Sequence, residues 1–222
     1  MIKAVIFDLD GTVCDTLSTI AHYGNTALEY NGFDAIPQDN YKYFAGDGKI
    51  ELIHRMLRYY NADNEENFKR VEKKYDFEYE KDSIFESRPF DGIVELLLNL
   101  KKIGIKTAVF SNKPDNVTVM LVNKIMGGFF DVCHGKRDNI PKKPDPEGVF
   151  CIADELKVNI EDCIFVGDTN IDINTAKNCK IRSIGVLWGF RDKKELTDAG
   201  ADYIVSSPSE IYDYIVKNKN RE

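Results

Sequence analysis

Short apolar runs alternate with amphipathic helical segments along most of this chain, and this alternation limits the folds that it can adopt. Apolar residues recur at helical spacing over residues 93–102, 117–126 and 147–156. The apolar runs between them predict strands at residues 2–7, 105–110, 129–133, 163–166, 181–187 and 203–205. Since these strands are apolar throughout, we expect a mainly parallel sheet covered on both faces, in a Rossmann-like three-layer α/β core.

The stretch from residue 16 to residue 88 interrupts this alternation. It contains no convincing strand, and Ile50, Ile53 and Leu57 recur at helical spacing within it. A mixed-charge run over residues 64–81 is typical of a solvated helix face. We therefore expect a core built from residues 1–15 and 89–222, into which an all-helical domain of residues 16–88 is inserted.

The composition of the 222 residues argues against several classes of protein. A hydrophobic content of 43% and a charged content of 30% fit a globular protein and argue against disorder. The net charge of −7 gives no general attraction for nucleic acid or for an anionic membrane. The first apolar stretch is too short for a signal peptide, and no run is long enough to span a membrane. The five cysteines are scattered without paired spacing, so we expect reduced thiols in a cytoplasmic protein. We expect a monomer or a homodimer.

The first predicted strand ends in two carboxylates, Asp8 and Asp10, in the stretch VIFDLDGT. Side chains two apart in an extended segment point to the same side of the chain. The carboxyl ends of parallel strands meet at one edge of the sheet, where open α/β sheets bind their ligands. Polar residues that follow other strands, or precede the helix at residue 147, are expected beside the two acids: Ser111, Asn112, Lys113, Lys142, Lys143, Asp168 and Asp172.

Four carboxylates at one edge of a sheet would repel one another strongly without a positive charge among them. Because the set offers oxygen ligands without histidine or cysteine, it predicts a hard divalent cation, and Mg²⁺ fits best. Magnesium commonly shares its coordination sphere with phosphate, so we expect a small phosphorylated metabolite as substrate. A lysine and the Ser111 hydroxyl would hold the phosphoryl oxygens, with Asn112 beside them. Taken alone, Asp8 and Asp10 could instead cap a turn.

Four short motifs, in this order and at these intervals, resemble those of the haloacid dehalogenase-like (HAD) hydrolase superfamily. They are DLDGT at residue 8, SNK at residue 111, a lysine directly before Pro144, and GDTNID at residue 167. Within the superfamily the chain is similar to the phosphoglycolate phosphatase-like branch, in which a helical cap follows the first motif. The stretch AGDG at residue 45 and the segment WGFR with ELTDAGADYIV are also similar to that branch. The resemblance covers nearly the whole chain and implies that residues 16–88 form the cap.

The resemblance also implies a function, a Mg²⁺-dependent phosphomonoester hydrolase that works through an aspartyl-phosphate. Asp8 would be the nucleophile. Asp10 would protonate the leaving alkoxide and then activate the hydrolytic water. Ser111 and Lys143 would clamp the phosphoryl group, with Asn112 as a further phosphate contact. The metal site would comprise Asp8, Asp10 through its main-chain carbonyl, Asp168 and, in support, Asp172.

The cap of such an enzyme would close over the site, exclude water and select the leaving group. The candidates for substrate selection are Gly46, Asp47, Gly48 and Lys49 in the cap, with Arg191 as a possible second anion contact. For Arg191 a position on the surface is an equal alternative. Lys113 is expected at the surface, with a contact to the substrate as the alternative.

Three other functions stay open. Phosphomutases of the β-phosphoglucomutase type often carry an acidic residue immediately before the aspartate of the last motif, whereas this chain has Gly167 there, which favours a hydrolase. A dehalogenase resembles this pattern but lacks the second acid and the metal, so Asp10 argues against it. A non-catalytic regulatory or binding protein on the same fold is disfavoured because all the expected catalytic residues are present. Among substrates, phosphoglycolate-like esters lead.

Overall fold

A computed structural model describes residues 1–79, 81–82 and 84–219 of the protein. The strands are β1 Ala4–Phe7, β2 Cys14–Asp15, β3 Arg88–Pro89, β4 Lys106–Pro114, β5 Val132–Lys136, β6 Cys163–Gly167, β7 Arg182–Val186 and β8 Tyr203–Val205. The helices are α1 Leu17–Tyr30, α2 Tyr41–Phe44, α3 Lys49–Tyr59, α4 Glu65–Tyr79, α5 Ile93–Lys102, α6 Asp115–Met126, α7 Glu147–Leu156, α8 Asn170–Asn178, α9 Lys193–Asp198 and α10 Pro208–Lys219. Short 3₁₀ turns lie at Gln38–Asn40 and Ile160–Asp162.

The central sheet has six strands in the order β5-β4-β1-β6-β7-β8, and all neighbouring strands are parallel. Strand β1 lies between β4 and β6, so the chain builds the sheet outward from β1 first on one side and then on the other. The point where strand order reverses in this way is where α/β sheets bind ligands. The first acidic pair of the sequence therefore follows the strand that is best placed to carry a site.

The sheet is buried on both faces. Ala4 and Ile6 of β1 belong to a cluster that also contains Phe110, Phe165 and apolar residues of α7 and α8. Val5 and Phe7, which point to the other face of β1, are equally buried. Helices α5, α6 and α10 also pack against strands of the sheet or against one another. The predicted α/β fold with a parallel sheet is confirmed.

The chain divides into two compact units. The sheet unit comprises Met1–Asp15 and the chain from Arg88 onward, and it includes the short antiparallel pair β2-β3. The helical unit comprises Thr16–Ser87, whose described elements are α1 to α4 and one 3₁₀ turn. Within it α4 packs against α1 and α3, and the buried Tyr41 hydroxyl donates to Asn25 Oδ1 at 2.8 Å. That this unit acts as a cap stays a prediction.

The described helices include none that is both long enough and apolar enough to cross a membrane. One predicted boundary was wrong in a way that matters for the site. The strand expected at residues 105–110 continues as β4 to Pro114, so Ser111, Asn112 and Lys113 lie in the strand and not in the loop after it.

Candidate active site

The predicted catalytic residues meet at the carboxyl edge of the sheet unit. Asp8 directly follows β1, and its N–H donates to Val166 O of β6 at 2.8 Å. Asp168 directly follows β6, and Asp172 lies in the first turn of α8. The side chain of Lys143 reaches the same place from the segment before α7. Parallel strands that end at one edge therefore bring together residues that are far apart in sequence.

Lys143 lies between two acids. Its Nζ atom is 2.6 Å from Asp8 Oδ1 and 2.7 Å from Asp172 Oδ1, and its side chain is only 2% exposed. Burial alone would lower the pKa of this lysine, but the carboxylates of Asp172 and Asp8 outweigh it and hold the pKa above its usual range. Lys143 is therefore a fixed positive charge beside Asp8.

Three buried acids form a cluster that could hold a cation. One carboxylate oxygen from each of Asp8, Asp168 and Asp172 lies within 4.8 Å of the others. Burial raises the pKa of Asp8 well above its ordinary value even though Lys143 opposes this. Burial and the charge of Asp172 raise the pKa of Asp168 to about 7. The cluster is thus short of positive charge and offers only oxygen, which fits a hard ion such as Mg²⁺.

Backbone and side-chain donors fix the Asp168 carboxylate. Its Oδ1 accepts from the Thr12 hydroxyl at 3.0 Å, and its Oδ2 accepts from the Phe190 N–H at 2.7 Å. The Trp188 indole N–H donates to Thr12 O at 2.9 Å, which joins the loop after β1 to the segment after β7. Sequence reasoning missed these three partners. The available signals were the stretch WGFR, noted only as a resemblance, which contains Trp188 and Phe190, and the motif DLDGT, which ends in Thr12.

Asp172 uses both of its oxygens on protein groups. While Oδ1 accepts from Lys143, Oδ2 accepts from the Thr169 N–H at 3.0 Å and from the Thr169 hydroxyl at 2.8 Å. Asp172 therefore orients Lys143 and closes the first turn of α8. This arrangement suits a supporting position beside a metal ion.

Asp10 contacts a residue that the sequence placed elsewhere. Both of its carboxylate oxygens accept from Lys113 Nζ, at 2.8 and 2.9 Å. The side chains of Lys113 and Asp10 are 8% and 14% exposed. The expectation that Lys113 lies at the surface was wrong, because β4 runs on past Phe110 and carries Lys113 into the site.

Ser111 and Asn112 are both buried, and Asn112 lies against Lys143. The Asn112 side chain contacts the main chain of Lys143: its Oδ1 accepts from Lys143 N–H at 2.8 Å and its Nδ2 donates to Lys143 O at 3.3 Å. Ser111 Oγ accepts from the Lys113 N–H at 3.2 Å. Asn112 thus fixes the backbone from which Lys143 reaches Asp8, and its predicted contact with phosphate stays a prediction.

Comparison with known proteins shows which family this arrangement belongs to. The family model described as haloacid dehalogenase-like hydrolase matches residues 5–186, which include every acid of the site. The chain belongs to the haloacid dehalogenase-like hydrolase family. Phosphoglycolate phosphatase of Neisseria meningitidis is 33% identical over 230 residues, covering 100% of this chain and 97% of its own length. The corresponding enzyme of Neisseria gonorrhoeae is 30% identical over the same share of the chain and 96% of its own length.

Solved structures of this family have the same fold. A candidate phosphoglycolate phosphatase from Lactobacillus delbrueckii matches with a TM-score of 0.93 and 31% identity, covering 96% of this chain and 98% of its own. A β-phosphoglucomutase from Clostridium difficile matches with a TM-score of 0.79 and 26% identity, covering 99% and 98%. With the curated relatives, these matches show that the chain is a phosphatase of the phosphoglycolate phosphatase-like branch.

Within this HAD phosphatase, Arg191 lies inside the protein. It is 8% exposed, and its Nε is 3.2 Å from Glu195 Oε2. The alternative of a surface arginine was therefore wrong. Its positive charge works against the rise of the Asp168 pKa, which places the guanidinium in the electrostatic surroundings of the acidic cluster. Whether it contacts a substrate anion stays a prediction.

The predicted specificity residues of the helical unit are held by its own helices. Lys49 Nζ is 2.7 Å from Asp76 Oδ2 and 3.1 Å from Glu72 Oε1, both on α4. Asp47 forms an ion pair with Arg55 of α3. Gly46 precedes Asp47 and has a φ of 111°, and Gly48 lies between Asp47 and Lys49 and has a φ of 88°. These contacts define the shape of the loop, and its role in selecting a leaving group stays a prediction.

Proposed function

We propose that this phosphatase transfers the phosphoryl group of a small monoester to Asp8 and then to water, with 2-phosphoglycolate as the leading substrate. One observation carries the proposal: the buried carboxylate of Asp8 lies 2.6 Å from the ammonium of Lys143 and beside the carboxylates of Asp168 and Asp172. A dianionic phosphate needs such a positive group before an anionic nucleophile can approach it. The names of the curated relatives support phosphoglycolate as the ester.

The first half of the reaction forms a bond between an Asp8 oxygen and phosphorus and breaks the ester P–O bond. Ser111 and Lys143 hold the phosphoryl oxygens, and Asp10 gives its proton to the departing alkoxide. In the second half Asp10 takes a proton from the water that attacks phosphorus. Inorganic phosphate leaves, and the Asp8 carboxylate is restored. One acid next to the nucleophile thus serves both halves.

The carboxylates of Asp8 and Asp168, with the Asp10 main-chain carbonyl, would hold Mg²⁺, and Asp172 would support this set. When bound, the ion supplies the positive charge that brings an acidic nucleophile and a phosphate dianion together. The protein contributes the rest of the arrangement, because Lys143, Thr12 and Phe190 already fix the orientation of the acids.

A phosphomutase of the same fold is the alternative that the C. difficile structure raises. A Cβ atom added at Gly167 would lie 2.2 Å from Asp172 Cβ. An acidic side chain at position 167 therefore has no room while Asp172 holds Lys143. This supports hydrolysis rather than transfer within a sugar phosphate.

The test is phosphate release from 2-phosphoglycolate and p-nitrophenyl phosphate, with and without Mg²⁺. We expect release only with Mg²⁺, and loss of it in Asp8→Asn. The control Asp91→Asn replaces an exposed aspartate of the same unit and should retain full activity. Rearrangement of a sugar phosphate without net phosphate release would establish the mutase instead. A cytoplasmic location and a monomeric or homodimeric state are further predictions.

A further inference from the structure

Two lysines of the active site are buried, and they pair with different acids. Lys143 contacts Asp8 and Asp172, whereas Lys113 contacts both carboxylate oxygens of Asp10. In the proposed reaction Asp8 faces phosphorus and Asp10 faces the oxygen of the leaving group. Lys143 is thus associated with the phosphoryl side of the ester, and Lys113 with the leaving-group side.

We propose that Lys113 binds a carboxylate on the leaving group and so makes the enzyme selective for phosphate esters of 2-hydroxy acids. The inference rests on the proposed function and deepens it, because it names the residue of the sheet unit that recognises the second charge of the substrate. It concerns the class of ester, of which 2-phosphoglycolate is the smallest member.

The distances between Lys113 and Asp10 bring the lysine ammonium close to the leaving group of the proposed reaction. A general acid works within about 2.6–3.2 Å of the oxygen that it protonates. The ammonium of Lys113 is 2.8 and 2.9 Å from the two oxygens of Asp10. In the phosphate ester of a 2-hydroxy acid, the carboxylate carbon is two bonds from the ester oxygen. When Asp10 contacts the ester oxygen, the ammonium of Lys113 is within reach of a carboxylate oxygen.

The chemistry of lysine suits this double contact. An ammonium has three N–H donors that turn freely about one bond, so it can contact Asp10 and a second carboxylate at once. The side chain of Lys113 is 8% exposed, and a charge-assisted hydrogen bond in such surroundings is stronger than one in water. A neutral hydroxyl in place of the substrate carboxylate would gain little from it.

The balance of charge in the site also supports a role for Lys113 in binding this carboxylate. The positive charge of Lys143 is shared between Asp8 and Asp172 before any substrate arrives. A phosphate ester of a 2-hydroxy acid brings a further negative charge on its leaving group. Lys113, buried 2.8 Å from Asp10, is the ammonium nearest in the described contacts to the group that protonates that leaving group.

The experiment compares two esters that differ in one group, 2-phosphoglycolate and 2-hydroxyethyl phosphate. The kcat/KM for each is measured with the full-length Mg²⁺-loaded enzyme, in the wild type, Lys113→Met and Lys113→Arg. Lys101→Met is the matched control, since it removes an exposed lysine of α5. The readout is the ratio of the two kcat/KM values, because loss of Asp10 orientation alone lowers both values and leaves their ratio unchanged.

We expect the wild type to prefer 2-phosphoglycolate by about 100-fold or more, and Lys113→Met to reduce this preference by about 30-fold, the size of one hydrogen bond to a charged group. Lys113→Arg should keep most of the preference and Lys101→Met all of it. Equal losses on both esters in Lys113→Met would overturn the inference and leave the proposed function standing. If Lys113→Met lacks a cooperative thermal transition, Lys113→Gln replaces it.

The wild type alone provides a second test that needs no variant. A ratio of the two kcat/KM values within about 3-fold of unity would overturn the inference, since a carboxylate bound by a buried ammonium has to change the binding free energy of the ester. In that case hydrolysis of p-nitrophenyl phosphate, lost in Asp8→Asn, would show that the phosphatase chemistry stands while the preference for phosphoglycolate fails. No hydrolysis of any ester would instead count against both.

Discussion

Lys143 is the residue on which the electrostatics of the site depend most. It is fully enclosed, and its ammonium contacts two carboxylates at 2.6 and 2.7 Å. Its pKa is held above the usual range by those carboxylates, so it is charged at neutral pH. Removing one member of such a buried group leaves the remaining charges without compensation.

For Lys143→Met we expect kcat to fall by about 10²–10³-fold, because the proposed reaction loses a donor to the phosphoryl oxygens. The free energy of unfolding should fall by about 3–5 kcal/mol, because Asp8 and Asp172 remain buried without their partner. Steady-state kinetics and urea denaturation measure the two effects. The neighbouring Lys142 is exposed, and Lys142→Met should change stability by no more than about 0.5 kcal/mol. Similar behaviour of the two variants would contradict this assignment.

The raised pKa of Asp168 predicts how metal binding depends on pH. With a pKa of about 7, the carboxyl group holds a proton below pH 7 that a cation has to displace, and is ionised above it. The apparent Mg²⁺ affinity should therefore rise by up to about tenfold per pH unit below pH 7 and level off above it. Binding should also release protons in the lower range.

Isothermal titration calorimetry in two buffers of different ionisation enthalpy measures both quantities. The raised pKa of Asp8 acts in the same direction. It can make the rise of Mg²⁺ affinity with pH steeper but cannot reverse it. An affinity that does not change between roughly pH 5.5 and pH 8 would show that no acid with a raised pKa takes part in binding the metal.

At the scale of residues, the sequence indicated which residues form the site but not which residues they contact. Asp8 and Asp168 could be predicted because they follow strands that end at one edge, and Lys143 because it directly precedes Pro144, as in the motif that the chain resembles. The pairing of Lys113 with Asp10 joins residues 103 apart in sequence, and that of Phe190 with Asp168 joins residues 22 apart. Such contacts depend on how far a strand extends and on where a backbone N–H points. Neither is encoded in a local pattern.

At the scale of elements, the segment after β7 shapes the site as much as any strand. Trp188 and Phe190 bind Thr12 and Asp168 respectively, and Gly189 lies between them. A Cβ atom at Gly189 would lie 2.3 Å from Asp168 Cβ and 2.4 Å from the main-chain oxygen of Gly11. The segment can approach the acidic cluster this closely only because residue 189 has no side chain.

Gly189→Ala is therefore expected to push Asp168 away from its place. We predict an apparent Mg²⁺ affinity lower by about tenfold or more, together with a lower melting temperature, because the obstructing atoms include backbone. The control is Gly128→Ala, since a Cβ there meets nothing within 4 Å although its φ is +83°. That control should lose some stability through its backbone and keep its Mg²⁺ affinity. Normal affinity in Gly189→Ala would show that the segment does not position Asp168.

Element types were easier to predict than element ends. Helices α5 and α7 were expected over the residues where they occur, since helical periodicity defines them and Gly104 after α5 and Pro146 before α7 each mark one end. The end of β4 was misplaced by four residues, at Phe110 instead of Pro114. The polar residues Ser111 to Lys113 resemble a loop when read alone. In the fold they are buried strand residues, because the site surrounds them.

At the scale of the whole molecule, one chain forms a parallel sheet unit and a separate helical unit inserted after β2. Asp8, Asp10, Lys143, Asp168 and Asp172 all belong to the sheet unit. The chemistry of these residues can therefore be described without the helical unit. The absence of strand patterns between residues 16 and 88 predicted the insertion. No sequence pattern tells whether a group of the helical unit contacts a substrate, since that depends on tertiary arrangement rather than periodicity.

The central claim, that Asp8 itself carries the phosphoryl group, can be tested by trapping it. In Asp10→Asn, p-nitrophenyl phosphate should still phosphorylate the enzyme, because p-nitrophenolate leaves without a proton, whereas the hydrolytic water is no longer activated. Peptide mass spectrometry after rapid acid quench should then find one phosphoryl group per chain, on Asp8, only when Mg²⁺ is present. Phosphate on another residue, or turnover with Asp8 never modified, would contradict the account.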